Sequence, residues 1–289
     1  MPFFLSSFVL RSAPRGLCAV AAAALLGGCA APSPTVLPAR VQQALLPTDV
    51  LLLGEQHDAP EHQALQQATV QWLAGRGELA ALVLEMAERG RSTAGLAPGA
   101  GERAVQSALR WSDAAWPWAS YGPAVMAAVR AGVPVLGGNL PRKALSATTT
   151  DAALDARLLP EAWQRQQDAV REGHCGLLPE SMLAGMVRVQ IARDISLAQT
   201  AAEAHRPGKV VLLLAGNGHV LRSLGVPLHL PSHLRSKVVS AQAGTALTAI
   251  ESEADWVQPT PALPPRDACA ELREQWQSMP PAPALSVPP

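Results

Sequence analysis

Short runs of consecutive apolar residues recur along this chain, and they constrain its fold more than any other feature. Most of them are followed by a segment with helical spacing, so we interpret the runs as buried strands. Strands that are apolar throughout are typical of parallel sheets covered on both faces. The predicted strands are residues 49–53, 80–84, 133–136, 210–214 and 238–243, and the predicted helices are residues 60–73, 102–110, 121–131, 151–172 and 179–205.

This alternation predicts an α/β fold with a mostly parallel central sheet flanked by helices. Additional mid-chain helices are expected to pack over the cleft at the strand ends. We assign the α/β domain to residues 45–270. Residues 271–289 form a C-terminal tail, and the last, Pro-rich part of this tail is expected to be disordered.

The N-terminus has the features of a bacterial lipoprotein signal peptide, which we assign to residues 1–28. Two arginines and an apolar run, residues 16–26, are followed by Leu26-Gly27-Gly28-Cys29, a sequence that resembles a lipobox. The run is too short to span a bilayer, which needs about 20 apolar residues. Cys29 would carry the lipid, and residues 29–44 would form a tether. Because Ala30 rather than Asp follows, the predicted location is the outer membrane of a Gram-negative cell, facing the periplasm or the surface; a plain signal peptide is the alternative.

Charge and cysteine content narrow the range of partners and compartments. The chain has 23 Lys and Arg against 23 Asp and Glu, and this zero balance argues against a nucleic-acid partner. Once Cys18 leaves with the signal and Cys29 is lipidated, Cys175 and Cys269 remain. A pair of cysteines in an oxidising compartment predicts a disulfide, with two buried thiols as the alternative.

Polar residues follow four of the predicted strands directly, where open parallel sheets bind their ligands. Glu55, His57, Glu85 and His219 belong to these clusters. Two imidazoles and two carboxylates suit zinc, manganese or iron, and they also suit acid–base catalysis. A buried hydrogen-bond network with a purely structural role is the alternative.

Seven short motifs follow one another along the chain: Gly54-Glu55-x-His57-Asp58, Glu85-Met86, Trp118-x-x-Tyr121-x-Pro123, Asn139-x-Pro141-Arg142, His174-Cys175-Gly176-x-x-Pro179, Gln190-x-x-Arg193-Asp194 and Gly216-x-Gly218-His219. Together and in this order they resemble the ChaN-type haem-binding uptake lipoproteins, and the resemblance runs from about residue 45 to residue 245. It implies an α/β fold with extra helices, haem as the ligand and a role in iron uptake.

For haem, the resemblance points to four residues. Tyr121, the only tyrosine of the chain, is the expected axial ligand, and His174 is a second choice. Arg142 would pair with a propionate, and Trp118 would stack on the porphyrin. The sequence leaves open whether the chain forms a homodimer, and it indicates no haem donor or receptor.

The family is also similar to Tiki-type metalloproteases and erythromycin-esterase-like enzymes, which carry two Gly-x-x-His motifs. The alternative function is therefore metal-dependent hydrolysis in the same cleft. His57 and His219 would hold zinc or manganese together with a carboxylate, and Glu55 or Glu85 would activate the bound water. We expect haem binding without turnover and keep the hydrolase as the alternative.

Overall fold

The computed structural model describes residues 35–245 and 248–278, and its centre is a six-stranded sheet. The strand order is β3-β2-β4-β1-β5-β6, and every neighbouring pair is parallel. The predicted fold class is confirmed. The strands are Val50–Glu55 (β1), Leu79–Glu88 (β2), Val135–Asn139 (β3), Val210–Gly216 (β4), Ser236–Ala243 (β5) and Trp256–Thr260 (β6).

Helices connect the strands, as parallel crossovers require. Short 3₁₀ turns at Arg142–Ala144, Ala152–Arg157 and Val226–His229 join them. The α-helices are Ala39–Leu45 (α1), Pro60–Gly75 (α2), Glu102–Leu109 (α3), Trp118–Arg130 (α4), Leu145–Thr150 (α5), Pro160–Gly173 (α6), Glu180–Ala204 (α7), Asn217–Val220 (α8), Thr248–Glu251 (α9) and Ala268–Ser278 (α10).

The central strands β1 and β4 are buried along their whole length, because helices cover both faces of the sheet. Side chains alternate between the two faces, as the period of a strand requires. Leu51 and Leu53 pack towards α2 and α4, whereas Val50 and Leu52 pack towards α7. The same alternation orients the residues at the strand ends, where the functional site lies.

The predicted helix over residues 151–172 is wrong in its first part. A 3₁₀ turn, Ala152–Arg157, is separated from α6 by Leu158 and Leu159. Leu159 is extended, with φ −66° and ψ 155°, because the ring of Pro160 disfavours a helical residue before it. Pro160 therefore begins α6 instead of continuing a longer helix.

Several boundaries also differ from the predictions. Strand β2 continues to Glu88, four residues beyond the predicted end, and α4 begins at Trp118, before Tyr121. Strand β6 was not predicted, because Pro259 lies inside it; Pro is tolerated in a strand only at a sheet edge, which is where β6 lies.

A disulfide links the α6–α7 connection to the C-terminal helix. Cys175 and Cys269, the two cysteines that the sequence analysis pairs, have Cα atoms 5.5 Å apart. The bond joins positions 94 residues apart and ties α10 to the mid-chain helices.

Some predictions fall on residues outside the described ranges. The signal peptide, the lipidation site Cys29 and the Pro-rich end of the tail, residues 279–289, are among them. Within residues 35–245 and 248–278, no helix has the length and apolar character needed to cross a membrane.

Candidate functional site

The carboxyl ends of β1, β2, β3 and β4 meet at one edge of the sheet. Glu55 ends β1 beside Gly216, which ends β4. Glu85 lies near the end of β2, and Asn139 ends β3 and donates from its side-chain amide to the Glu85 carbonyl at 2.8 Å. Residues that are distant in sequence therefore share one polar cluster.

Glu55 is the most heavily hydrogen-bonded side chain of this cluster. Its Oε1 accepts from the Tyr121 hydroxyl at 2.7 Å and lies 2.7 Å from Nδ1 of His57. Its Oε2 accepts from the side-chain amides of Gln63 and Gln66 at 2.8 and 2.7 Å. Four donors hold the buried carboxylate in one position, as burial of a charged group requires.

His57 is held by its Nδ1 while the rest of its ring remains accessible. An ionised carboxylate only accepts, so the proton on Nδ1 points to Glu55. The side chain is 41% exposed, and its Nε2 lies 3.9 Å from Oε2 of Glu85. Burial lowers the pKa of His57, but its hydrogen bond to Glu55 and the charges of Glu85 and Glu55 outweigh burial and raise it.

Aromatic residues support one side of the cluster. The Trp116 ring packs edge-on against His57, with ring centroids 4.8 Å apart, and also contacts Tyr121. Tyr121 is buried, and burial together with the Glu55 charge raises its pKa. Trp118 is also buried and donates from Nε1 to Glu102 at 2.9 Å.

Glu85, His219 and Asp194 form a second chain of charges behind His57. His219 lies between the two carboxylates, with Nδ1 2.6 Å from Asp194 and Nε2 3.3 Å from Glu85. Burial opposes the charge of His219, but the two carboxylates raise its pKa to about 10.

The pKa values of Glu85 and Asp194 are shifted in opposite directions. Burial opposes the charge of Glu85, but His219 and the backbone N–H of Gly216 lower its pKa to about 2. Burial dominates for Asp194 and raises its pKa to about 6. His219 is therefore a buried imidazolium whose ring nitrogens are both engaged.

This arrangement does not resemble a metal centre. Among residues 35–245 and 248–278, no group of three or more His, Cys, Asp or Glu side chains is placed to hold a metal ion. The predicted set of His57, His219, Glu55 and Glu85 comes together, but Glu55 is saturated by donors and His219 by carboxylates. The structure therefore gives no support to the zinc or manganese alternative.

A cavity of about 690 Å³, the main cavity, opens beside His57. Apolar side chains, including Met86, Leu109 and Trp116, form part of its wall, and four arginines form another part. The predicted propionate partner Arg142 is one of these arginines; the others are Arg91, Arg110 and Arg193.

A second cavity of about 420 Å³ is also lined by His57. His174, the predicted second haem ligand, lines this second cavity rather than the main one, and its Nδ1 donates to the Val170 carbonyl at 2.7 Å. The structure thus separates His174 from Arg142.

Sequence reasoning missed Gln63 and Gln66, which lie on α2, and assigned no role to Asp194, which lies on α7 beside Arg193. Asp194 belongs to the motif Gln190-x-x-Arg193-Asp194, but an adjacent Arg-Asp pair on a helix usually faces solvent, whereas Asp194 is buried. The helical spacing of Gln63 and Gln66 relative to their apolar neighbours is the signal that could have revealed them.

Fold and site together define an all-parallel α/β protein with a histidine–carboxylate cluster and a large cavity at the strand ends. A family model described as "Haem-binding uptake, Tiki superfamily, ChaN" matches residues 41–230, about two thirds of the chain. The chain therefore belongs to this family, and the resemblance seen in the sequence motifs is confirmed.

Three solved structures are similar to this one. ChaN of Campylobacter jejuni, described as binding haem cofacially, is 24% identical, with a TM-score of 0.60 over 75% of this chain and 89% of that one. A Bacillus cereus protein is 15% identical over 71% and 68% of the two chains, with a TM-score of 0.41. The type III effector HopBA1 is 16% identical over 74% and 88%, with a TM-score of 0.41. No curated protein sequence matches the chain.

Proposed function

We propose that this chain binds haem in the main cavity, as part of haem or iron uptake. The observation that carries the proposal is His57 at the cavity wall, with its Nδ1 fixed by Glu55 and its ring packed on Trp116. Membership of the haem-binding uptake family supports the choice of ligand, as does the description of the C. jejuni relative.

His57 fits the requirements of an axial ligand. Histidines that bind metals usually donate their other ring N–H to a carboxylate, which fixes the tautomer and the ring orientation. Glu55 takes that role here, and four donors prevent Glu55 itself from moving. Nε2 of His57 is then the free nitrogen that could bind iron.

Tyr121 remains the alternative axial ligand that the sequence predicts. Its hydroxyl donates to Glu55, and its pKa is raised above the usual phenol value. Binding iron as a phenolate would cost both this hydrogen bond and the proton, so we favour His57. We propose that Tyr121 instead keeps Glu55 in place.

The main cavity also has the size and composition that a haem pocket needs. Its volume of about 690 Å³ lies within the usual range for small-molecule and cofactor sites. Its apolar side chains suit the porphyrin, and its arginines suit a ligand with negative charge. Under this proposal Trp116, rather than the buried Trp118, faces the porphyrin.

The cellular context is proposed from the sequence. A lipid on Cys29 would hold the protein at the outer membrane of a Gram-negative cell, close to incoming haem. Two chains would form a homodimer on haem binding, a proposal supported by the cofacial haem described for the C. jejuni relative. Sedimentation with and without haemin tests the homodimer.

A haemin titration followed by absorbance tests the proposal. We expect a saturable Soret shift for the wild-type protein, an affinity lowered at least tenfold in His57→Ala, and little change in Tyr121→Phe. His233→Ala is the matched control, because His233 is exposed and lines neither cavity. Circular dichroism shows whether each variant is folded.

The outcomes separate the alternatives. A wild-type protein without a saturable shift would contradict haem binding altogether. A normal shift in His57→Ala together with a lost shift in Tyr121→Phe would assign the iron to Tyr121 and leave haem binding intact.

A further inference from the structure

Two arginines in the main cavity have buried nitrogen atoms without partners. Nε of Arg91 and Nε of Arg193 are both inaccessible to water, and neither makes a hydrogen bond to the described part of the chain. Buried donors are almost always satisfied, and an unsatisfied one costs about 1–3 kcal/mol. Both side chains line the main cavity from different elements, Arg91 from the segment after β2 and Arg193 from α7.

No carboxylate of the described residues forms an ion pair with either guanidinium group, although acidic side chains are close in sequence. Arg89, two residues before Arg91, pairs with Glu203. Asp194, the neighbour of Arg193, is engaged by His219 instead. Both arginines therefore line the cavity without a carboxylate partner among the described residues.

The charge balance of the cavity wall also favours an anion. Two carboxylates, Glu85 and Glu88, line the cavity together with the four arginines. Glu85 is paired with His219, and Glu88 accepts from the backbone N–H of Arg142 at 3.2 Å. The wall therefore keeps excess positive charge, which is complementary to a ligand that carries more than one carboxylate.

Both guanidinium groups also project from fixed backbone. The Arg91 carbonyl accepts from the N–H of Gly137 in β3 at 2.9 Å, and the Arg91 N–H donates to the Glu88 carbonyl at 3.1 Å. Arg193 lies near the middle of the 25-residue helix α7. Little backbone freedom is lost when such groups bind a ligand, and this preorganisation favours affinity.

We propose that Arg91 and Arg193 are the carboxylate-recognition residues of the main cavity, so that the cavity selects porphyrins with free carboxylates and accepts them with or without iron. This inference rests on the proposed porphyrin function but not on iron binding by His57. It differs from the sequence prediction of Arg142, whose side chain is exposed at the surface.

The test compares metal-free protoporphyrin IX with its dimethyl ester, using fluorescence titration of the whole protein. We expect the wild-type protein to bind the free acid at least tenfold more tightly than the ester. Arg91→Gln and Arg193→Gln should each weaken binding of the free acid about tenfold and leave binding of the ester unchanged. Arg110→Gln, at an exposed arginine of the same cavity, is the matched control and should change binding less.

Equal wild-type affinity for free acid and ester would overturn the inference without any variant, and so would variants that bind the free acid as the wild-type protein does. Failure of the haem proposal has a different signature. If haemin gives no Soret shift, the haem proposal is wrong. The arginine assignment still holds in that case if the free acid binds more tightly than the ester and each of the two arginine variants weakens that binding.

Discussion

At the residue scale, three buried carboxylates place the two histidines in different electrostatic environments. Glu55 is saturated by four donors and leaves Nε2 of His57 available to a ligand. Glu85 and Asp194 occupy both nitrogens of His219, which consequently stays charged. His57 is therefore suited to binding, whereas His219 stabilises the strand ends.

The charge of His219 predicts that stability falls as the pH rises above neutrality. The folded-state pKa is about 10 against 6.5 for an ordinary histidine, so the stabilisation is complete below pH 6.5 and is lost towards pH 10. One linked proton gives a slope of at most about 1.4 kcal/mol per pH unit. Urea unfolding at pH 7, 8 and 9 measures the slope.

The variant His219→Gln should show a shallower pH slope than the wild-type protein. His57, whose pKa is also raised, contributes in the same direction and accounts for any slope that remains. Glu85 and Asp194 titrate at lower pH and do not contribute to this window. Equal slopes in the two proteins would show that His219 is not the linked group.

Four residues of the site could be predicted because they directly follow an apolar strand: Glu55, His57, Glu85 and His219. Tyr121 and Asp194 lie on helices and entered through the family motifs. Gln63 and Gln66 were not found, because they differ from surface residues only by the rotation of their helix. Tertiary packing decides which face of a helix meets the strand ends.

At the element scale, the end of β4 must approach His57 closely. A Cβ atom on Gly216 would lie 2.8 Å from Nε2 of His57, whereas a Cβ on Gly218 would meet no atom within 4 Å. The first glycine therefore makes room for the imidazole, and the second does not. The sequence shows both glycines but cannot tell which of them is required for packing.

Gly216→Ala should consequently displace the His57 ring and cost about 1–3 kcal/mol of unfolding free energy, the usual range for overpacking. It should also weaken haemin binding, because Nε2 of His57 would no longer keep its position. Gly218→Ala is the matched control and should change both quantities little. Urea unfolding and haemin titration of the two variants make the comparison, and equal effects would contradict it.

Strand and helix positions were predictable where apolar patterns are long and uninterrupted, as for β1, β4 and α7. The prediction failed where proline changes the local geometry. Pro160 divides residues 151–172 into two elements, and Pro259 hides the edge strand β6. The apolar pattern of the sequence indicates parallel strands, but it does not show their order in the sheet or the pairing of β5 with β6.

At the scale of the whole molecule, the C-terminal helix depends on the disulfide for its attachment. No residue of α10 is buried, so apolar packing contributes little to holding it. Arg266, just before α10, contacts Asp58 at 4.0 Å, but both side chains are largely exposed, and such ion pairs contribute at most about 1 kcal/mol. The bond between Cys175 and Cys269 links α10 covalently to the domain.

Cys269→Ser should therefore lower the unfolding free energy by roughly 2–4 kcal/mol, because the bond closes a loop spanning 94 residues and its loss frees the unfolded chain. Hydrogen exchange should become fast across residues 268–278 and change little in β1 and β4, which are buried on both faces by the core. Dithiothreitol should destabilise the wild-type protein by the same amount and leave Cys269→Ser unaffected. If reduction leaves the wild-type unfolding free energy unchanged, the two cysteines are free thiols, and packing that does not depend on the bond holds α10 in place.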